Sequence, residues 1–123
     1  MGNYSQEEYS EALHVVASSI SSCIKIQPKF AEGTSQHSLL KNRIKALSIS
    51  KLLIENNDER SRFSKEELID ALRPISSIIN KCEKAQSKYE EGSSNFARYT
   101  NLLNAMKLSK SLIMEEISTK DRT

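Results

Sequence analysis

The sequence is poor in the residues that bend or pin a chain: three Gly, two Pro, two Cys and no Trp among 123 residues. So few Gly and Pro leave no room for a glycine-rich dinucleotide loop, a Walker-type loop or many β-turns, which disfavours most familiar enzyme scaffolds. No run of 18 apolar residues occurs, so no membrane span is expected. Charge of neither sign is in excess. Lys and Arg number 18 against 16 Asp and Glu, and a net charge of +2 is too small to direct the chain to nucleic acid or a lipid surface by bulk electrostatics. The slight basic excess of residues 60–123 supports nonspecific contact at most, so nucleic acid is a minor alternative. The opening M-G-N-Y-S-Q-E-E is acidic where a secretory signal is basic and then apolar, and a cytoplasmic location is expected.

What is present is self-similarity. Shifting the chain by 59 positions aligns residues 4–56 with 63–115 without a gap. The identities include Ser5/Ser64, Glu8/Glu67, Leu13/Leu72, Ile20/Ile79, Cys23/Cys82, Gln27/Gln86, Lys29/Lys88, Gly33/Gly92, Ser35/Ser94, Asn42/Asn101, Ala46/Ala105, Ser50/Ser109 and Lys51/Lys110. A duplication is expected, each copy being one unit that cannot bury its apolar face alone. Residues 1–56 form the first copy, the polar stretch 57–62 the linker, and 63–118 the second.

Each copy opens with S-x-x-E, a capping box at a helix start. Apolar residues then recur with helical spacing at Tyr9, Ala12, Leu13, Val16, Ile20 and Cys23, and at Leu68, Ala71, Leu72, Ile75, Ile79 and Cys82. Pro74 lies inside the second pattern and predicts a kink or break near Arg73. Gly33 and Gly92 are expected to end these helices as left-handed caps, the hydroxyls that follow capping the next helix. The fold class is therefore all-α: two tandem αα-hairpins in a four-helix bundle-like unit. In the second helix Leu39, Leu40, Ile44, Ala46, Leu47, Ile49, Leu53 and Ile54 cover more than half the circumference. That arc exceeds what one neighbour covers and predicts burial on two sides, with homo-oligomerisation.

Little in the sequence points to catalysis. His14 and His37, whose counterparts are Arg73 and Phe96, belong to no repeated metal or acid–base arrangement. Cys23 and Cys82 fall on the apolar stripe without a C-x-x-C neighbour and read as reduced core thiols. Glu7/Glu8 and Glu66/Glu67 stand in first helical turns, where negative charge suits the amide dipoles. No Ser–His–Asp pattern is supported, so no enzyme, cofactor or metal is expected.

Two features suit an anion. In K-F-A-E-G-T-S and K-Y-E-E-G-S-S, the cations Lys29 and Lys88 and the rings Phe30 and Tyr89 precede Gly. Thr34, Ser35, Ser93 and Ser94 then open a helix. Amides and hydroxyls there donate to a phosphate, Lys neutralises it, and a ring offers a stacking face to a base. Glu32 and Glu91 oppose this, and an ordinary cap loop explains the same residues. The second feature is Asn42/Asn101, Ser50/Ser109 and Lys51/Lys110 within the apolar arc. Either Lys snorkels while Asn and Ser bridge helices, or Lys51 and Lys110 face an interface pocket and meet an anionic ligand.

The repeated A-L-x-x-x-x-S-x-I-x-x-C-x-K-x-Q-x-K-[FY]-x-E-G-[TS]-S resembles short helical-hairpin proteins of bacterial genomes and mobile elements, across both copies in its main positions. More loosely, the hairpin with its K-x-x-x-G-[TS]-S turn resembles the phage anti-defence sponges that sequester cyclic nucleotide signals. That resemblance implies a non-enzymatic protein binding a cyclic nucleotide or related anionic molecule between neighbouring hairpins. Lys29, Thr34, Ser35, Lys88, Ser93 and Ser94 would hold phosphates, and Phe30, Tyr89, Tyr4 or Tyr9 would stack on bases. The alternative is a homo-oligomeric interaction or adaptor module with no small-molecule ligand. The copies depart from one another at His37/Phe96, Leu40/Tyr99 and Arg43/Leu102.

Overall fold

A computed structural model describes residues 4–55 and 63–121, so the linker 57–62 lies outside the described residues. The described residues form four α-helices, α1 (Gln6–Ile26), α2 (Ser35–Ile54), α3 (Lys65–Gln86) and α4 (Ser94–Asp121), with one turn of 3₁₀ helix at Gln27–Lys29. No strand occurs among the described residues. The class is all-α, and α4 runs three residues beyond the boundary expected at 118.

Both expected capping boxes form. The Ser5 hydroxyl accepts from the Glu8 amide at 3.1 Å while the Ser5 amide donates to the Glu8 carboxylate at 2.8 Å. Ser64 and Glu67 repeat the arrangement at 3.1 and 3.0 Å. The amide of Ser64 holds the Glu67 carboxyl below its ordinary value, and Lys45, 3.6 Å away, acts in the same direction.

Three expectations about the helices need correction. First, α3 does not break at Pro74; it runs unbroken from Lys65 to Gln86. The carbonyl that loses its donor belongs to Asp70, an exposed residue, so the missing bond falls on the solvent side of the helix. Second, Gly33 and Gly92 are left-handed (φ +90° and +92°) but do not end α1 and α3, which finish at Ile26 and Gln86. Each Gly occupies the third position of a four-residue turn, closed by Thr34 N–H to Ala31 C=O at 3.2 Å and by Ser93 N–H to Glu90 C=O at 3.1 Å. Third, Ser50 and Ser109 are fully buried but bridge no helices. Each donates to its own helix four residues back, to Ala46 C=O at 2.9 Å and Ala105 C=O at 2.8 Å.

The short connections make neighbours antiparallel. α1 packs on α2 and α4, α3 packs on α4 and α2, and α2 and α4 also meet across the centre, whereas the backbones of α1 and α3 stay more than 8 Å apart. Equivalent positions of the 59-residue register fill one shared core: Val16 and Ile75, Leu47 and Met106, Ile49 and Leu108. The wide arc of α2 is consumed within the chain. Leu40, Ala46, Leu47, Ile49, Leu53 and Ile54 are buried, Ile44 is half-buried, and only Leu39 is exposed. Three neighbouring helices account for that width, so it no longer calls for a second subunit.

Up–down–up–down topology puts both hairpin turns at one end. The other end gathers the starts of α1 and α3 and the end of α4, where Tyr4 OH lies 3.4 Å from Ser111 Oγ and Lys65 pairs with Asp121.

Candidate functional site

The two turns use their hydroxyls internally. Thr34 Oγ1 donates to Ala31 C=O at 2.7 Å and accepts from His37 N–H at 3.2 Å. Ser93 Oγ donates to Glu90 C=O at 2.8 Å and accepts from Phe96 N–H at 3.2 Å. A phosphate at either turn therefore competes with a formed cap. Ser35 and Ser94 begin α2 and α4 on the exposed side, and Lys29 and Lys88 extend into solvent. Phe30 and Tyr89 are partly exposed. Tyr89 stacks on Tyr99 at 6.0 Å and 20°, so part of its ring surface already has a partner. Tyr4 and Tyr9 touch one another edge-on at 6.1 Å near the start of α1. That is the opposite end, about 30 Å from the turns by the rise of a 21-residue helix, so these two rings do not serve a base held there. Lys51 and Lys110 are half-buried on α2 and α4, and Lys51 pairs with Glu55 at 3.9 Å. The structure does not bring these lysines together with the turns.

The best-enclosed spaces lie instead along the seams between helices. Between α2 and α3, a groove of about 400 Å³ is lined by Asn42, Lys45, Ala46, Glu67, Asp70, Ala71 and Pro74 among others. In the same register between α4 and α1, a groove of about 180 Å³ is lined by Asn101, Asn104, Ala105, Glu8, Glu11, Ala12 and Val15. Asn42 and Asn101 thus face these grooves rather than the core. The second groove is acidic, and the first sets Lys45 and Arg73 against Glu67 and Asp70, so neither offers an anion an excess of positive charge.

The α1–α4 seam continues toward the turn end into a third space, of about 480 Å³, sharing Val15 and Asn101 with the acidic groove. Its polar lining is Arg43, Arg98, His14, Ser18, Ser19, Ser22 and Asn101; its apolar lining is Val15, Cys23, Leu47, Ile78 and Leu102. No carboxylate lines it. Arg98 comes from the first turns of α4, its guanidinium carbon 5.0 Å from the centroid of the Tyr99 ring. Arg43 enters from α2 beneath the seam. Its Nε and Nη2 are closed to water and have no hydrogen-bond partner among the described residues. Burial raises the Cys23 thiol above its ordinary value, Arg43 acting in the opposite direction. Cys82 is likewise raised by burial, with Arg43 and Arg98 opposing. Both thiols are free and buried. Protonated at neutral pH, they add no negative charge to this space.

The turns drew attention because their residues are contiguous. The seam cavity is assembled from one face of α1 and a few residues of the other three helices, and its one sequence signal was the register mismatch Arg43/Leu102, a guanidinium where the other hairpin carries an aliphatic chain. Among the described residues no group of three His, Cys, Asp or Glu is placed to hold a metal, and no helix is long and apolar enough to cross a membrane. No protein-family model, curated protein or solved structure matches this chain.

Proposed function

We propose that the protein binds and sequesters an anionic nucleotide, of the cyclic signalling type, without chemical conversion. The observation that carries this reading is the α1–α4 cavity: two guanidiniums, an imidazole, three hydroxyls and an amide, with no carboxylate, around about 480 Å³. Its volume lies in the range of small-molecule sites, and its mixed lining offers charge to phosphate and apolar surface to a base. The two guanidiniums inside and the acidic groove beyond Asn101 favour a ligand seated toward the turn end.

A thermal-shift panel of cyclic di- and trinucleotides and ADP-ribose tests the reading. A ligand at about 100-fold excess over its Kd contributes about 2.7 kcal/mol to the folded state and raises the melting temperature accordingly. The ligand is then recovered unchanged by chromatography. A panel with no shift removes the reading; a shift followed by conversion of the ligand removes sequestration.

The adaptor reading draws on a different observation. Ile24, Ile26, Phe30 and Leu39 are exposed apolar side chains near the first turn. A null nucleotide panel combined with concentration-dependent mass in light scattering supports it instead.

A further inference from the structure

We propose that Arg43 is a poised clasp: its guanidinium rests against the core in the free protein and turns into the α1–α4 cavity to grip one oxoanion per chain. This deepens the reading of that cavity as an anion site and rests on it. Nε and Nη2 together form the side-on edge of the guanidinium, the edge that meets two oxygens of a phosphate or carboxylate at once. Here that edge is closed to water and has no acceptor among the described residues. Arg does not escape by losing its proton, so its buried charge opposes folding.

Nothing in the packing requires a charge at this position. The register-equivalent residue in the second hairpin is Leu102, which packs against the core. The conflict is relieved on the cavity side. The long side chain of Arg43 lines the cavity, as does Arg98, and no carboxylate among the described residues shares that lining, so an anion entering it meets two cations. Turning outward frees Arg43 from its unfavourable burial, so part of the binding energy is stored in the unliganded fold. The clasp is single: the register equivalent of Arg43 is Leu102, an uncharged residue that lines the same cavity, and the cations beside the other seam, Arg73, Lys81 and Lys84, all stand on α3 around an open space. A site built on the turns would instead occur twice per chain.

The variant Arg43→Leu copies the residue of the second hairpin and is tested without ligand and with inorganic pyrophosphate as the probe. Without ligand its melting temperature rises by about 4 °C, as expected when a buried unpaired charge gives way to an aliphatic chain of similar size. Pyrophosphate raises the melting temperature of the wild type and not of the variant, and calorimetry counts one equivalent per chain. Arg43→Lys keeps the charge without the fork; it folds and binds at least tenfold more weakly. A fall in melting temperature for Arg43→Leu, two equivalents bound, or unchanged binding by Arg43→Lys overturns the clasp. The two ideas also fail separately. Cyclic dinucleotides binding wild type and Arg43→Leu equally well leave the nucleotide reading standing and remove the clasp. Pyrophosphate binding that depends on Arg43, with no nucleotide binding, leaves the clasp and removes the nucleotide. No stabilisation by either removes both.

Discussion

The α1–α4 and α2–α3 seams are built from the same register of residues and each adjoins a space lined by cations, yet among the described residues only the first holds a guanidinium edge closed to water. In their lower parts they agree: Asn101 faces Glu8 and Glu11 in one, and Asn42 faces Glu67 and Asp70 in the other. Toward the turns they diverge. The first holds Arg43 and Arg98 with Leu102 in the same lining; beside the second, α3 sets Arg73, Lys81 and Lys84 around a wider, more open space. The helices, caps and core layers are shared, so the difference arises from side chains that the fold does not need. A closed-off guanidinium has been added to one seam, and an aliphatic chain at the equivalent place shows what the scaffold accepts by default.

The comparison is sharpened first through the core, where the halves should behave alike. Leu47→Ala and Met106→Ala remove fully buried side chains from equivalent layers and should each cost about 3 kcal/mol in urea denaturation. A cost confined to one of them shows that the halves do not share the load. Next, Leu102→Arg adds a third guanidinium to the lining that Arg43 and Arg98 already share. It should destabilise by about 2 kcal/mol, seen as a lower melting temperature. Gly33→Ala and Gly92→Ala test the turns. An added Cβ meets nothing within 4 Å at either, so the loss of about 1 kcal/mol comes from the backbone alone and should match between the two. The smallest effect is alkaline. The Cys23 and Cys82 thiols are raised by burial, so the unfolded chain releases those protons first and stability falls as pH climbs above the unfolded thiol value of about 8.5. The double variant Cys23→Ala with Cys82→Ala should flatten that limb of a pH–stability curve, and an unchanged slope assigns it to other groups.

Much of the architecture was legible because it depends on local chemistry. S-x-x-E marked both odd-numbered helix starts, and the spacing of Val16, Ile75 and their neighbours marked the buried stripes. The misreadings share a cause: neighbouring structure overrode a local rule. Pro74 sits where an exposed turn tolerates a lost hydrogen bond, and Gly33 and Gly92 serve the entry to the following helix rather than the exit from the preceding one. The breadth of the apolar arc on α2 was seen correctly, but only the three-way packing of that helix showed what covers it. The cavity was illegible for another reason. His14, Ser19, Arg43 and Arg98 are far apart in the chain and form no motif, so only the packed helices bring them to one wall.

That the backbones of α1 and α3 stay apart while α2 and α4 meet has a mechanical consequence. Each leans on an inner pair, α2 with α4, and either is free to tilt without prising the other from its seat. Amide exchange should therefore be slowest along the inner pair and fall into two separate, faster classes on the outer ones. Admission of a guest to the α1–α4 cleft then takes the excursion of a single rod, while three-quarters of the scaffold stays shut.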